Sequence, residues 1–129
     1  MKKINQSLLI DAARRARLNA HAPYSRYKVG AAVLSSDGRI YAGCNVENTS
    51  YGLTVCAERN AVAALVAAGG RNIVAVAVVA DSKVPVSPCG ACRQVIAEFG
   101  PHAEIIMSNL KGSVRKKTLS VLLPARFKK

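Results

Sequence analysis

The stretch Ile73-Val74-Ala75-Val76-Ala77-Val78-Val79-Ala80 is an uninterrupted apolar run without proline, glycine or charge. Valine alternates along much of it, and eight residues is a usual length for a strand. A strand that is apolar at every position needs cover on both of its faces. We therefore predict that residues 73–80 form the central strand of a sheet that lies between helices.

Helical and strand-like patterns alternate on both sides of this run. Helices are predicted at residues 6–19, 57–68, 90–99 and 118–122, from apolar spacing and from the Gly and Pro residues that follow them. Strands are predicted at 27–34 and 39–45, joined by the turn Ser35-Ser36-Asp37-Gly38, and at 104–107, with a further one at 112–116. This order predicts an α/β fold, a three-layer α/β/α sandwich with a mixed sheet of about five strands. Residues 1–129 are predicted to form one domain.

The chain is strongly basic, with 19 Lys and Arg against 7 Asp and Glu and a formal net charge of +12. Its basic residues are dispersed, and no aromatic residues are interleaved with them to stack on bases. We interpret the charge as a solvated basic surface that attracts anions nonspecifically, and we do not expect a dedicated nucleic-acid partner. The small basic groups are Arg14-Arg15-Arg17, Arg115-Lys116-Lys117 and Lys128-Lys129.

Targeting and membrane signals are also missing from the pattern. No apolar signal core follows Met1-Lys2-Lys3-Ile4-Asn5, and the longest apolar run is too short to span a bilayer. We therefore expect a cytoplasmic protein without a membrane partner. In a reducing compartment, the four cysteines are more often metal ligands or catalytic groups than disulfides.

Three of the cysteines stand where loops enter predicted helices. Cys89 and Cys92 are three residues apart, so the first turn of helix 90–99 can direct both sulfurs to one point, and Cys56 can supply a third from the start of helix 57–68. A Zn²⁺ ion compensates the charge of three gathered thiolates and lowers their pKa values. The two helix N-termini add partial positive charge. We predict one zinc ion, held by these three residues.

Three protein ligands leave one tetrahedral position free for water, as in catalytic zinc sites. Because thiolate ligands make the site negative, the metal acidifies this water less and a nearby base becomes important. Glu58, two residues after Cys56, is predicted to be that catalytic base and to move the protons. Arg59 and Arg93 are close in sequence to the ligands and are predicted to donate hydrogen bonds to the sulfurs. In an alternative interpretation, Cys44 is a fourth ligand and the chain is a zinc-stabilised binding module without activity.

The pairing of Cys56-Ala57-Glu58 with Pro88-Cys89-Gly90-Ala91-Cys92 matches the signature of zinc-dependent deaminases in its three-cysteine form. From about residue 20 to residue 127 the chain resembles the cytidine deaminase family, specifically its small homotetrameric branch. The blocks that carry the resemblance are Ala22-Pro23-Tyr24-Ser25, Val29-Gly30-Ala31-Ala32, Asn45-Val46-Glu47-Asn48, Ser50-Tyr51-Gly52-Leu53-Thr54, Cys56-Ala57-Glu58-Arg59, Pro88-Cys89-Gly90-Ala91-Cys92-Arg93-Gln94 and Leu122-Leu123-Pro124.

The resemblance implies hydrolytic deamination of cytidine and deoxycytidine to uridine and deoxyuridine in pyrimidine salvage. Zinc-activated water would attack C4 of the base while Glu58 shuttles protons and ammonia leaves. By the same resemblance, Asn45 and Glu47 would bind the ribose hydroxyls, and the backbone of Ala57 would contact the base. It further implies a homotetramer whose sites are shared between subunits and hold one zinc ion each.

One aromatic residue, and the two residues that precede another, depart from the family pattern. The resemblance places Tyr27 in the wall of the base pocket, where the family usually has Phe, so its hydroxyl group needs a partner or water. It also implies that Phe127 reaches a nucleoside site within the tetramer, although Ala125-Arg126 precede it where the family often has Gly-Ala. Other substrates that we consider are cytosine nucleotides, RNA and cytosine-bearing antibiotics.

Overall fold

The computed structural model describes residues 4–129 and places the run Ile73–Ala80, strand β3, at the centre of a five-stranded sheet. Met1, Lys2 and Lys3, which open the segment for which we predict no signal peptide, lie outside the described residues. The other strands are β1 (Val29–Ser35), β2 (Ile40–Cys44), β4 (Glu104–Asn109) and β5 (Val114–Thr118). The helices are α1 (Gln6–Arg17), α2 (Ala57–Ala67), α3 (Gly90–Phe99) and α4 (Leu119–Leu122), with a 3₁₀ turn at Tyr51–Leu53.

The sheet is mixed and has the strand order β2-β1-β3-β4-β5. Strand β1 runs antiparallel to both β2 and β3, β3 runs parallel to β4, and β4 runs antiparallel to β5. A parallel pair needs a crossover connection, and α3 provides it between β3 and β4. The loop that follows β3 therefore leads directly to the N-terminus of α3, where two of the cysteines lie.

The two faces of β3 bury side chains of different size. Ala75, Ala77 and Val79 lie in the core beneath α1, whereas Val76 and Val78 belong to the larger core under α2, α3 and α4. This alternation is the period-two pattern of a strand covered on both sides. Helices on both faces confirm the predicted three-layer α/β/α sandwich with a mixed sheet of five strands.

Small residues let the helices approach the sheet closely. A Cβ atom on Gly30 of β1 would lie 1.9 Å from the carbonyl oxygen of Ala13 in α1. On the other face, a Cβ atom on Gly43 of β2 would lie 2.5 Å from the amide nitrogen of Ala61 in α2. The second contact fixes the height of α2 over the sheet, and α2 carries Cys56 at its N-terminal cap.

The strands of the C-terminal hairpin differ from the prediction in their bounds. Strand β4 extends two residues beyond 107, and β5 covers 114–118 where 112–116 was predicted. The Asn109 side-chain oxygen accepts hydrogen bonds from the amides of Lys111 and Ser113, and Gly112 has a φ of 90°. These bonds form the turn, so the strand begins only after it.

The 3₁₀ turn at Tyr51–Leu53 had no sequence prediction. Within residues 4–129, no helix has both the length and the apolarity needed to cross a membrane.

Candidate metal centre and active site

The three cysteines meet where the N-termini of α2 and α3 converge. Cys56 is the N-cap of α2, and Cys89 is the N-cap of α3, where its sulfur accepts a hydrogen bond from the amide of Cys92 at 3.5 Å. Amide groups in the first turn of a helix have no partner within the helix and carry partial positive charge. Both helix ends therefore stabilise negative charge on the sulfurs, as the sequence interpretation required.

The distances between the sulfurs suit a small thiolate-binding cation. All three Sγ atoms lie within 4.8 Å of one another, and those of Cys56 and Cys89 are 3.9 Å apart. Tetrahedral zinc with Zn–S bonds of about 2.3 Å would hold two sulfurs about 3.8 Å apart. Among residues 4–129, this is the only group of three or more His, Cys, Asp or Glu side chains gathered in this way. The residues fit a zinc ion.

The three thiols influence one another's ionisation. Hydrogen bonding from Cys92, then from Arg59 and Cys89, lowers the pKa of Cys56 to about 5 against the effect of burial. The pKa of Cys92 is raised far above its ordinary value by its hydrogen bond with Cys56, by burial and by the charge of Glu58. One negative charge is readily shared by the sulfurs, and further ionisation is opposed. A divalent cation removes that opposition.

The two arginines near the ligands have different roles. Arg59 donates from Nη2 to the sulfur of Cys56 at 3.7 Å, as predicted, while its Nε is buried without a partner. Arg93 donates to the carbonyl oxygens of Pro88 and Leu122 and to the hydroxyl of Ser87. The prediction that Arg93 donates to a sulfur is therefore wrong, because all three acceptors lie outside the sulfur cluster.

Glu58 is buried in the first turn of α2, with 5% of its surface exposed, and it lines the same cavity as Cys56 and Cys89. Burial raises the pKa of its carboxyl group to about 7, and the charge of Cys56 acts in the same direction. A carboxyl group that titrates near neutrality can both accept and release a proton during a reaction. Its placement would allow it to exchange protons with a molecule in the cavity.

The cavity at this centre has a volume of about 290 Å³. Its walls include four of the predicted substrate contacts, Tyr27, Asn45, Glu47 and Ala57. The sequence had assigned no role to the other residues that line it, Ser25, Val29, Thr54, Val78, Val86 and Ser87. The valines come from a strand entrance, the central strand and a loop, so no local pattern joins them. Ser25, Val29 and Thr54 had a signal, since all three stand in the blocks that resemble the family.

Asn45 and Glu47 are held in place by backbone groups. The Asn45 side chain accepts from the amide of Val29 and donates to the carbonyl of Tyr27, both at 2.8 Å, which leaves one N–H and one lone pair facing other partners. The amides of Tyr24 and Ser25 donate to Oε1 of Glu47 at 3.0 and 3.1 Å, and the Ser25 hydroxyl bonds to Oε2. The Ser25 hydroxyl, aided by these amides, lowers the pKa of Glu47, so this carboxylate is ionised.

Two residues lie away from the cavity. Phe127 is 78% exposed, its carbonyl accepts a hydrogen bond from Gln94 of α3, and its side chain is not among those that line the cavity, so one chain alone does not bring it to its own site. Cys44 borders a separate surface cavity together with Ala12 and Arg15. It is not part of the sulfur cluster, and this contradicts the alternative of a closed four-cysteine site.

Comparison with known proteins agrees with this geometry. Residues 3–108 match the family model described as the cytidine and deoxycytidylate deaminase zinc-binding region. A cytidine deaminase of Halalkalibacterium halodurans is 50% identical over 125 residues, which cover 96% of this chain and 95% of the relative. One of Mycobacterium tuberculosis is 44% identical over 127 residues, covering 98% and 92%.

Solved structures show the same likeness in three dimensions. The crystal structure of cytidine deaminase from Burkholderia pseudomallei superposes with a TM-score of 0.93 at 49% identity, covering 96% of this chain and all of that one. With the family model spanning most of the chain and relatives at up to about half identity, this zinc-binding protein belongs to the cytidine deaminase family.

Proposed function

We propose that the chain hydrolyses cytidine and deoxycytidine to uridine and deoxyuridine with release of ammonia, a reaction of pyrimidine salvage. The observation that carries this proposal is the single cavity of about 290 Å³ that contains Cys56, Cys89, Glu58, Asn45 and Glu47. Metal-binding thiols, a carboxyl group that can carry protons and side chains suited to a sugar thus border one cavity, which can hold part of a nucleoside.

Cys56, Cys89 and Cys92 hold one zinc ion per chain. Zinc, when bound, lowers the pKa of a coordinated water and so supplies the nucleophile at neutral pH. Arg59 offsets part of the thiolate charge through its bond to Cys56, and the ends of α2 and α3 offset more. A zinc ion with three anionic ligands can therefore still lower the pKa of a bound water.

Glu58 moves the protons. Its carboxylate accepts a proton from the attacking water as the new C4–O bond forms, and it delivers that proton to N3 of the pyrimidine ring. It then takes the proton of the hydroxyl group at C4 and delivers it to the amino nitrogen, the C4–N bond breaks, and ammonia leaves. One carboxyl group that borders the cavity can serve both directions of transfer.

The sugar and the base are held by different walls of the cavity. Ionised Glu47 is an acceptor for ribose hydroxyl groups, and Asn45 offers its remaining N–H and lone pair to them. Tyr27 and the valine side chains enclose the base, and the backbone of Ala57, at the start of α2, contacts it. Ser25 belongs to this set through its bond to the Glu47 carboxylate.

We further propose that residues 1–129 form one deaminase domain that assembles as a cytoplasmic homotetramer. Exposed aromatic and aliphatic side chains support this, among them Tyr51 at 75%, Leu53 at 66% and Phe127 at 78% exposure. Phe127 would then enter the site of a neighbouring subunit. Sedimentation velocity measures the mass of the assembly, and a monomer that retains full activity would refute the shared site.

A substrate panel tests the function directly. Cytidine, deoxycytidine, deoxycytidine monophosphate, adenosine and a cytosine-containing RNA are each incubated with the protein, with and without a zinc chelator, and ammonia is measured. We expect turnover of the two nucleosides that the chelator abolishes and that added zinc restores. Nucleoside turnover that persists after complete zinc removal would refute the mechanism.

Deamination of nucleotides or RNA is the second candidate, and the net charge of +12 favours it. In residues 4–129, only Asp37 and Glu104 form salt bridges, to Arg39 and Lys116, so much of the basic charge has no acidic partner. Faster turnover of the monophosphate or the RNA than of free cytidine would establish this candidate in place of the first.

A further inference from the structure

The guanidinium group of Arg93 joins three separate segments of the chain. Its Nε donates to the carbonyl of Pro88 at 2.7 Å, Nη1 donates to the carbonyl of Leu122 at 2.8 Å, and Nη2 donates to the hydroxyl of Ser87 at 2.7 Å. The described salt bridges do not include Arg93, so a cation is used here to bind three neutral acceptors.

Two of these contacts lie in the loop that delivers a metal ligand. Pro88 is fully buried and directly precedes Cys89, the cap of α3. The helix itself uses the carbonyl of Cys89, which accepts from the amide of Arg93 at 2.9 Å, and not the carbonyl of Pro88. The Arg93 side chain therefore supplies the donor for the Pro88 carbonyl and so restrains the backbone from which the Cys89 sulfur extends.

The third contact comes from the C-terminal segment. Leu122 ends the short helix α4, and carbonyl groups at the last turn of a helix lack partners within the helix. The next residue of α3, Gln94, donates to the carbonyl of Phe127 at 3.1 Å. Two successive residues of α3 thus attach the C-terminal segment to the helix that carries Cys92.

We propose that Arg93 is a positioning residue of the metal centre, which fastens the Ser87-Pro88 loop to the C-terminal segment at Leu122 and thereby fixes the Cys89 ligand. Metal retention then depends on a part of the chain that lies outside the cavity. This inference rests on the proposed zinc-binding function of Cys56, Cys89 and Cys92.

Only an arginine satisfies this geometry. Its planar fork presents donors in fixed directions to three acceptors, whereas lysine offers a single ammonium group with the same charge. Arg93→Lys therefore separates the two roles that the residue can have. If its charge were what the site needs, lysine would serve, and if the fork is needed, lysine fails.

The test compares purified, zinc-loaded wild type with Arg93→Lys. Arg71→Lys is the matched control, because Arg71 also donates to two backbone carbonyls, those of Val66 and Gly70, after the end of α2. Zinc release to a metallochromic chelator is timed, and the cobalt-substituted proteins are compared by absorption spectroscopy. For Arg93→Lys we expect about tenfold faster zinc release, the lower range found when outer contacts of metal ligands are removed, and altered cobalt–thiolate bands. Arg71→Lys should match the wild type in both readouts.

Ser87→Ala removes only one of the three hydrogen bonds of Arg93. It is the second variant for this test and replaces Arg93→Lys if that protein does not fold. We expect the same spectral change at smaller amplitude and release accelerated about two- to threefold. Wild-type release and spectra in both variants would overturn the inference. So would faster release that merely follows a lower melting temperature while the cobalt spectrum stays unchanged. Wild-type protein that binds no zinc would instead refute the proposed function, and the inference with it.

Discussion

Replacing Glu58 by glutamine should separate catalysis from folding. The Glu58→Gln side chain has nearly the same size and shape as the original, so the buried position at the start of α2 remains filled. Glutamine cannot accept a proton from water or deliver one to the base at neutral pH. The substitution therefore removes the proposed proton carrier and leaves the packing intact.

The expected loss of activity is large. General acid–base catalysis by one positioned group typically contributes about 10²- to 10⁴-fold. Because Glu58 serves both the attack of water and the departure of ammonia, we expect kcat to fall by about 10⁴-fold, equivalent to about 5.5 kcal/mol of transition-state stabilisation. The KM should change little, since the sugar contacts proposed for Asn45 and Glu47 are retained.

The same substitution should raise the stability of the metal-free protein. In the metal-free protein, burial raises the pKa of Glu58 from the ordinary value of 4.5 to about 7, so the folded state disfavours the carboxylate. The protonated form carries no penalty below pH 4.5, the penalty grows between pH 4.5 and 7, and it is complete above pH 7. The complete penalty for this rise in the pKa is about 3 kcal/mol. The metal-free Glu58→Gln protein should therefore gain up to about this much stability above pH 7.

Steady-state kinetics with cytidine and urea unfolding of the metal-free proteins at pH 5 and pH 8 measure the two effects. Zinc content, determined by elemental analysis, serves as the control for an intact metal site. Turnover of Glu58→Gln within tenfold of the wild type would refute the assigned role. A variant that is less stable than the wild type at pH 8 would refute the electrostatic reasoning.

Three other substitutions have expected outcomes of different kinds. Asn45→Ala leaves the amide of Val29 and the carbonyl of Tyr27 without their hydrogen-bond partner. It should lower the free energy of unfolding in urea by about 2–4 kcal/mol, and a loss below about 1 kcal/mol would contradict this. Gly43→Ala forces α2 away from the sheet and should destabilise by at least about 1–3 kcal/mol, whereas Gly52→Ala, with open space around it, should not. Arg59→Gln removes the donor to Cys56 and should weaken zinc binding about tenfold in chelator competition; unchanged affinity would exclude a role in charge balance.

The chemistry of the metal centre could be predicted from local sequence. Cys89 and Cys92 are spaced for one helical turn, and Cys56 and Glu58 stand at the start of a second helix, so their directions follow from helix geometry. The two apolar faces of β3 likewise follow from its composition, because a strand without polar residues has no solvent-facing side. These features depend on neighbours in sequence.

The positions that the sequence misjudged depend on neighbours in space. Arg93 lies beside Cys92 in sequence, yet a helix turns its side chain about 100° from that of Cys92, toward Pro88 and Leu122. No local pattern shows that the C-terminal segment passes there. The start of β5 likewise depends on the bonds that the Asn109 side chain accepts within the turn.

Local sequence was enough to predict the layers of the fold, the three thiols that fit a zinc ion and the carboxyl group proposed as acid and base, because helix and strand periodicity fixes where such side chains point. The shape of the cavity, the hydrogen bond between Ser25 and Glu47 and the connection of Arg93 to Leu122 depend on the three-dimensional packing of the chain. Each of these joins residues 22 or more positions apart or from several elements, and only the packing of the sheet and helices brings them within hydrogen-bonding distance.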